Sequence, residues 1–410
     1  MTTRTPVAPE PITATAAEER IRESALRPGP VGRVGLELEG QLVDFAVPGT
    51  RLDWDAIAEL APVIQSAAGR STVTFEPGGQ VELSGPPAAG IVPAVETLRS
   101  DAQRVRLALA EQGAGLAWLG ADPVRPARRV NPRPRYAAMA EHFTAVGAGE
   151  AGATMMCATA ALQVNLEAGP AEGWADRVAL AQQLGPTLTA ISACSRWLSG
   201  RDTGYASARE LAWSALRAAP RPSADPVEEW MRYALAAPVM FCADDQGARP
   251  VRSRVPFAEW LSGRVRLDDR LPTARDVDTH LSTLFPPVRL RGYLELRYFD
   301  VCPPRWWPAI AAVVTVLLDT PAAADAARDA IAPVGQLWAE AARDGLRDAR
   351  LAAAARRCTE IAAAHAPDEL RTAVEDLADL VAGGRSPGDL IAGRIAEVGS
   401  LDAFAELAHA

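Results

Sequence analysis

The residues of this chain that are best suited to chemistry are two carboxylates beside a tight turn. Glu76 and Glu82 lie on either side of a Pro-Gly-Gly sequence, within a hairpin predicted over residues 71–84. After the turn, the alternation places Gln80, Glu82 and Ser84 on one face of a strand. Carboxylates held beside a polar strand face suit a hard cation. The pattern fits equally a hairpin whose edge charges are solvated, because Pro-Gly-Gly is common in turns.

Three further segments show the same alternation and are predicted to be strands, over residues 33–44, 155–166 and 288–300. Their polar faces carry Glu37, Glu39 and Gln41; Thr159, Gln163 and Asn165; and Arg289, Arg291, Glu295 and Arg297. Neighbouring carboxylates on one face repel each other, at a cost that a cation would remove. The polar face of 155–166 could be explained equally by structural hydrogen bonds or by a ligand. The polar face of 288–300 could be explained equally by a ladder of salt bridges or by a metal-binding carboxylate beside phosphate-binding arginines.

Four polar strand faces in one chain predict a single sheet with a polar concave side. The carboxylates that would face this cavity are Glu37, Glu39, Glu76, Glu82 and Glu295. Buried carboxylates need compensating charge, so the arrangement favours bound cations. Oxygen ligands without a His or Cys cluster favour Mg²⁺ over Zn²⁺, and Mg²⁺ beside arginines is a common way to hold nucleotide phosphates.

Composition excludes several other classes of function. The formal net charge is -9, which argues against a nucleic-acid partner. All 42 basic residues are arginine, so a P-loop lysine and a Schiff-base lysine are both excluded. The five cysteines are widely spaced and form no CxxC motif, which indicates reduced thiols in the cytoplasm. No signal sequence and no run of about 18 apolar residues is present, so no membrane partner is predicted.

The chain is predicted to form one domain over residues 15–410, preceded by a disordered Thr/Pro/Ala-rich segment at 1–14. Helices are predicted over 54–68, 91–112 and 170–195, and the Ala-rich region at 306–410 is predicted to be helical throughout. The Arg/Pro-rich segment at 122–135 could form an anion site, but its prolines favour a solvated surface loop.

Four motifs, taken in this order, resemble the plant-type glutamate-cysteine ligases over roughly residues 30–365, and among them the actinobacterial branch that serves ergothioneine biosynthesis. The motifs are GLELE from Gly35, EPGGQVELSGPP from Glu76, the segment from Met155-Met156 to QVNL at 163–166, and HLSTLFPPVR from His280 with LELR from Leu294.

The resemblance implies an α+β fold: an antiparallel half-barrel sheet of glutamine-synthetase-like type, with helices packed outside. It implies ATP-dependent ligation of the γ-carboxylate of L-glutamate to L-cysteine through γ-glutamyl phosphate, with Mg²⁺ as cofactor. The implied metal ligands are Glu37, Glu39, Glu76, Glu82, Glu295 and Gln163. The implied catalytic residues are Arg297, which meets the ATP phosphates, and Arg209, which grips the carboxylate of glutamate. Both also bind substrate, together with Asn165, Thr159 and Gln80.

The chain departs from the family pattern between residues 194 and 221. Relatives carry Asn-Ser-Pro where this chain has Cys-Ser-Arg from Cys194, and an Asp and an Arg where it has Arg217 and Pro220. Arg221 would substitute for the latter by a shift of one residue. The departures leave two alternatives: a carboxylate-amine ligase with another acceptor, and a degenerate homologue that binds glutamate or nucleotide without catalysis.

Overall fold

The structure is a computed structural model, and it describes residues 10–216, 218–245 and 247–409. Its centre is an open antiparallel sheet in which the strands follow the order β10-β11-β5-β1-β3-β2, with β4 paired to β1. The strands of this sheet are β1 (Val34–Asp44), β2 (Thr72–Phe75), β3 (Val81–Ser84), β4 (Ala114–Ala117), β5 (Ala161–Glu167), β10 (Val288–Leu290) and β11 (Tyr293–Asp300). Two small hairpins lie apart from it: β6 (Trp197–Leu198) with β7 (Arg201–Asp202), and β8 (Phe241–Asp244) with β9 (Gly247–Pro250).

The helices precede, connect and follow these strands. They are α1 (Ala14–Ala25), α2 (Trp54–Ala67), α3 (Ile91–Glu111), α4 (Pro134–Ala145), α5 (Gly149–Ala158), α6 (Trp174–Ser192), α7 (Ala208–Ser214), α8 (Pro226–Ala236), α9 (Phe257–Leu261), α10 (Ala274–Leu281), α11 (Trp307–Asp319), α12 (Pro321–Ile331), α13 (Trp338–Arg343), α14 (Ala349–His365), α15 (Asp368–Ala382), α16 (Pro387–Val398) and α17 (Ser400–His409). Short 3₁₀ turns cover Ala171–Gly173 and Gly345–Arg347.

The prediction that four polar strand faces belong to one sheet is confirmed. Strands β3, β1, β5 and β11 are consecutive neighbours in it. In the antiparallel register Glu39 lies opposite Glu82, and Glu37 lies opposite Gln163. Glu295 lies opposite Asn165 on the next pair. Directly opposed residues on one face have their side chains in contact range, so the register alone brings the predicted site residues together.

The other side of each strand belongs to the apolar core. Leu36 and Leu38 of β1, Val81 of β3 and Leu296 of β11 are buried. Helix α11 packs into this core with every residue from Trp307 to Leu318 buried. Burial on one side and polarity on the other is what alternation in an antiparallel sheet specifies.

The predicted start of the strand at residue 155 is wrong. The segment Met155–Ala158 is the last turn of α5, and the strand begins only at Ala161. Met and Ala are good helix formers, and a short apolar run does not distinguish a helix from a strand by its periodicity. Thr159 is therefore the C-cap of α5, where its hydroxyl donates to the Met155 carbonyl at 2.7 Å, and it does not share a strand face with Gln163.

The predicted single strand at 288–300 is a hairpin. Strand β10 ends at Leu290 and β11 begins at Tyr293. Gly292 makes the turn with φ of 81°, a conformation that glycine adopts without strain. Arg289 consequently lies directly opposite Glu295 instead of six residues along the same strand.

The predicted disorder at residues 1–14 is wrong at its C-terminal end, while residues 1–9 lie outside the described residues. Helix α1 begins at Ala14, and the Thr13 hydroxyl caps it by accepting a hydrogen bond from the Ala16 N–H. The Ile12 N–H donates to the Pro272 carbonyl at 2.8 Å. Capping and this long-range bond hold a segment that composition alone would leave unfolded.

The prediction of a solvated loop at 122–135 holds for only part of it. Arg128, Arg129 and Arg133 are exposed. Arg125, however, is only 1% exposed, because it forms an ion pair with Asp122 at 2.6 Å and donates to the Leu42 carbonyl at 2.7 Å. A buried guanidinium needs charged and polar partners of this kind, which composition does not reveal.

Within the described part of the chain, no single helix is long and apolar enough to cross a membrane. Helices α11 and α12 reach that length and composition only when taken together, and they meet at an angle of 101°.

We expect Gly78→Ala to destabilise the fold at the turn that carries Glu76. A Cβ on Gly78 would lie 2.2 Å from the Cys157 carbonyl oxygen and 2.6 Å from its Cα, so the turn or the end of α5 must move. Such overpacking lowers the free energy of unfolding by about 1–3 kcal/mol. The control is Gly393→Ala in α16, where nothing lies within 4 Å and alanine favours the helix. Denaturant unfolding measures both, and equal stability of the two variants would contradict the tight contact at Gly78.

Candidate active site

The predicted site residues of β1, β3, β5 and β11 form one connected polar face. The Asn165 amide donates to the Glu37 carboxylate at 2.9 Å. The Gln163 amide lies between two carboxylates and donates to Glu39 at 3.2 Å and to Glu82 at 3.3 Å. Three of the sequence-predicted carboxylates are thus bound by two amides from β5.

The hairpin contributes its two carboxylates in different ways. Glu82 accepts from the Thr74 hydroxyl at 2.7 Å and from the Ser84 hydroxyl at 3.4 Å. Glu76 follows the end of β2, and its backbone closes the turn, with its N–H donating to the Gln80 carbonyl. Among the described residues, no side-chain or backbone group donates a hydrogen bond to the Glu76 carboxylate. The site therefore contains one carboxylate that is almost uncompensated by direct contacts.

Burial and mutual repulsion make these carboxylates weaker acids. Burial raises the pKa of Glu37 to about 7, and the neighbouring charges of Glu82 and Glu295 add to the effect. Burial is also the largest cause of the raised pKa values of Glu39, Glu76 and Glu82. For Glu76 the pKa is raised well above its ordinary value, with Glu82 and Glu39 as the next causes. These neighbouring carboxylates cannot all ionise at low cost. A bound cation would lower that cost.

Glu295 differs from the other four carboxylates, because arginines surround it. It is 1% exposed, and Arg289 binds it with two nitrogens across the β10–β11 hairpin. Arg291 and Arg297 lie at 3.2 Å and 3.3 Å from its oxygens. Burial alone would raise the pKa of Glu295, but Arg297 and Arg289 outweigh it and lower the pKa to about 2. The salt bridges that were one of the two interpretations of this strand face are therefore present in the structure.

Arg297 is the cation at the centre of the face. Its Nη1 contacts both the Gln163 side-chain oxygen and Glu295. Burial would lower its pKa, but the charges of Glu295, Glu39, Glu37 and Glu82 outweigh this and raise it. The rings of Trp213 and Phe285 lie 5.6 Å and 5.8 Å from its Cζ, so aromatic faces form the opposite wall.

Arg209 lies beside Arg297 rather than on the strand face. It is 1% exposed, and its Nη2 donates to the Arg297 carbonyl at 2.7 Å. Its Cζ lies 5.4 Å from the Trp213 ring centroid. The charge of Arg209 acts on the carboxylates of Glu39 and Asp300. Burial raises the pKa values of both carboxylates, and Arg209 opposes this effect by lowering them.

The structure does not bring Thr159 and Gln80 into the same contacts as the carboxylates. The Gln80 amide donates to the Thr159 carbonyl at 2.8 Å and to the Met156 carbonyl at 3.4 Å. The Gln80 side chain thereby connects the hairpin to the end of α5, whereas the Thr159 hydroxyl bonds within the last turn of that helix. Their predicted contact with substrate stays a prediction.

The divergent segment at 194–221 contains site residues that the motifs did not reveal. Ser195 and Ser207 donate to Asp300 at the end of β11, and Trp213 covers Arg297. Arg217 lies outside the described residues. Arg221 is exposed and lines a separate cavity of about 200 Å³ with Pro220. One local signal could have indicated the start of helix α7. It is the pattern Ser-x-x-Glu at 207–210, which is typical of the beginning of a helix.

The donor set fits a hard divalent cation by type but is not gathered around one point. Glu37, Glu39, Glu76 and Glu82 supply carboxylate oxygens, the ligands that Mg²⁺ prefers. Within the described residues, no group of three acidic, His or Cys side chains is placed to hold a metal ion. The raised pKa values show that the carboxylates lack the positive charge that their type and burial require.

Two cavities lie at opposite sides of this face. The larger, of about 540 Å³, is lined by Gly35 and Glu37 of β1, Asn165 of β5 and Tyr293 of β11, with Arg27 and Arg33 at its edge. The buried amide oxygen of Asn165 has no hydrogen-bond donor among the described residues. The smaller cavity, of about 160 Å³, is apolar, and Trp213 and Phe285 separate it from Arg297.

Comparisons with known proteins agree on one family. A family model described as glutamate-cysteine ligase family 2 matches residues 33–402. The glutamate-cysteine ligase EgtA of Mycolicibacterium smegmatis is 47% identical over 407 residues, which are 97% of this chain and 96% of that protein. EgtA of Mycobacterium tuberculosis is also 47% identical, over 404 residues covering 97% of this chain and 94% of the relative. A crystal structure of glutamate-cysteine ligase from Francisella tularensis in complex with AMP has the same fold, with a TM-score of 0.55 and 13% identity over 94% of this chain and 88% of that one.

The raised pKa of Glu37 predicts that the metal-free protein loses stability as pH rises. A carboxylate with a folded-state pKa of about 7 stabilises the fold fully below about pH 4.5, and this contribution is lost as pH rises through 7. From about pH 5 to about pH 8, we expect the unfolding temperature of Glu37→Gln to fall by about 2 °C less than that of the wild type. Exposed Glu96 of α3 provides the control variant Glu96→Gln, which should follow the wild type. Parallel pH profiles for wild type and Glu37→Gln would refute the charge repulsion.

Proposed function

This chain belongs to the glutamate-cysteine ligase family 2, and from that premise we propose that it joins the γ-carboxylate of L-glutamate to the amine of L-cysteine with ATP. The products are γ-glutamylcysteine, ADP and phosphate. In the structure, the observation that carries the proposal is the face on which four partly buried carboxylates lie around one arginine, Arg297. A cation that binds together with a substrate phosphate would supply the positive charge that such a face lacks.

The chemistry requires both activation of a carboxylate and control of charge. A carboxylate is a poor electrophile, so transfer of the terminal phosphate of ATP to glutamate, giving γ-glutamyl phosphate, creates a leaving group that the cysteine amine displaces. Bound Mg²⁺ would neutralise phosphate oxygens and orient them for transfer. The residues proposed to hold it are Glu37, Glu39, Glu76 and Glu82, supported by Gln163.

Glu295 is the sixth residue proposed for this metal shell, and its surroundings add a second role. Three arginines hold it in place, and one of them is Arg297. A carboxylate with a pKa of about 2 stays ionised throughout the working pH range. Glu295 therefore fixes Arg297 as a cation beside the site of phosphate transfer, where a guanidinium stabilises developing phosphate charge.

We assign a different substrate to each of the two cavities. A nucleoside fits the cavity of about 540 Å³, where the Asn165 amide oxygen and Glu37 provide hydrogen-bond acceptors. The apolar cavity of about 160 Å³ is too small for a nucleoside and suits a short apolar side chain. We place the cysteine side chain there, against Met155, Trp213 and Phe285, because sulfur packs favourably on aromatic rings. Arg209, on the same side of Arg297, is the proposed partner of the glutamate carboxylate.

We also propose that the protein works in the cytoplasm, where ATP is available and thiols stay reduced. The five cysteines are buried and form no disulfide with one another. The expected use of the product is ergothioneine biosynthesis, as the resemblance to the actinobacterial branch implies.

Glu76→Gln should abolish ligation without loss of folding. It removes a carboxylate to which no described residue donates a hydrogen bond, so we expect glutamate- and cysteine-dependent ADP release to fall by about 100-fold or more. The unfolding temperature should stay equal or rise, because repulsion with Glu82 and Glu39 is relieved. Glu96→Gln is the matched control and should keep wild-type activity. Full activity of Glu76→Gln would exclude Glu76 as a metal ligand. Glu295 is a less informative target, since its loss leaves Arg289 buried without its carboxylate.

The acceptor cavity predicts a clear order of amine substrates. With glutamate and ATP present, cysteine and 2-aminobutyrate should release phosphate, since both place a small apolar group in the cavity. Serine should have a kcat/KM at least about tenfold lower, because its hydroxyl would lose hydrogen bonds to water among apolar side chains. Preference for serine or for a bulkier amine would instead identify a ligase with another acceptor. ATP binding without ADP release for any amine would identify a non-catalytic homologue.

A further inference from the structure

Asp300, the last residue of β11, is the centre of a buried hydrogen-bond network outside the carboxylate face. It is 1% exposed. One of its oxygens accepts from the Ser195 hydroxyl at 2.6 Å and from the Cys194 N–H at 2.8 Å, and the other accepts from the Ser207 hydroxyl at 2.9 Å. None of these three donors is close to Asp300 in sequence, so the network connects separate parts of the fold.

The same two serines also form hydrogen bonds with helix α7. The Ser207 hydroxyl accepts from the Glu210 N–H at 3.0 Å and so caps the helix. The Ser195 hydroxyl accepts from the Arg209 N–H at 3.1 Å. The first turn of α7 is therefore fixed to the end of β11 through Asp300.

Helix α7 and strand β11 carry the groups that meet at the amino-acid side of the site. Arg209 and Trp213 are four residues apart on α7, so they share one face of the helix. Arg209 donates to the Arg297 carbonyl, and the Trp213 ring lies 5.6 Å from the Arg297 guanidinium. Arg297 precedes Asp300 by three residues on β11.

We propose that Asp300 is a positioning residue for the amino-acid substrates, which sets α7 against β11 so that Arg209 and Trp213 keep their places beside Arg297. The inference rests on the proposed function, and it adds to it a residue that acts through others. It also assigns a purpose to Ser195 and Ser207 in the segment where the chain departs from its relatives.

The chemistry of the position favours a carboxylate over an amide. The three surrounding groups are all donors, and a carboxylate accepts from all of them without bringing a donor of its own. An asparagine would turn N–H groups toward at least one of these donors. Gly120 packs closely against one side of Asp300, since a Cβ on Gly120 would lie 2.6 Å from the Asp300 Cβ and Cγ. The charge of Arg209 partly compensates the buried carboxylate.

The test is steady-state kinetics of Asp300→Asn with glutamate and ATP varied separately. We expect the KM for glutamate to rise about tenfold, while the KM for ATP changes by less than about twofold. A purely structural role would lower the amount of active enzyme and hence kcat, but would not raise one KM selectively. The matched control is Asp276→Asn in α10, which removes another buried aspartate that accepts from Thr273 and pairs with Arg270. It should lower the unfolding temperature and leave both KM values unchanged.

Ser195→Ala keeps the test decisive if Asp300→Asn fails to fold. It removes one hydroxyl from Asp300 and the acceptor of the Arg209 N–H, so the KM for glutamate should rise in the same direction by a smaller factor. Unchanged KM for glutamate in the folded variants, with an active wild type, would overturn this inference alone. A wild type that releases no ADP with glutamate and any amine would overturn the proposed function and this inference with it.

Discussion

Burial of neighbouring carboxylates on one face of a sheet, with repulsion between them as a second effect, is the constraint on which this structure depends. Glu37, Glu39, Glu76 and Glu82 are brought together by strand register and by one turn, and each holds its proton more tightly than an isolated glutamate does. At an effective dielectric constant of about 20, two such charges 4 Å apart cost roughly 4 kcal/mol. The fold tolerates this cost because helices bury the reverse side of the sheet, and because Arg297 supplies the positive charge at its centre.

The supports of the site are themselves buried ion pairs and hydrogen bonds. Arg51 donates to the Gly78 carbonyl at 3.0 Å and pairs with Asp122, which fixes the hairpin turn. The Asn131 amide donates to the Phe75 carbonyl at 2.8 Å from the other side. On the far edge of the sheet, Arg289 and Glu295 fix Arg297 in the same way. The turn that carries Glu76 and the guanidinium of Arg297 are thus both held in place by buried ion pairs.

The sequence predicts the strand faces well because polar and apolar residues alternate along β1, β3 and β11. The convergence of Glu37, Glu39, Glu82, Gln163, Asn165 and Glu295 follows from that period and from one assumption, that the strands pair. The boundary at Ala158 was not predictable, since Met and Ala suit a helix as well as a strand. The turn at Gly292 was missed because residues paired across it, such as Leu290 with Leu294, are an even number of positions apart, so the alternation continues through the turn with the same phase. The Asp300 network was invisible for another reason: its donors lie 93 to 106 residues away, and no local pattern reports such contacts.

The register in which Glu39 opposes Glu82 has a consequence for folding as well as for catalysis. Sliding β3 by one residue along β1 would exchange the two faces of the strand, and Glu82 would then enter the apolar core in place of Leu83. A carboxylate left there without partners costs several kcal/mol, far more than a misaligned strand could recover from its remaining contacts. The acidic residues therefore disfavour misaligned pairing of these strands. The side chains that form the polar face thus also favour a single pairing of these strands.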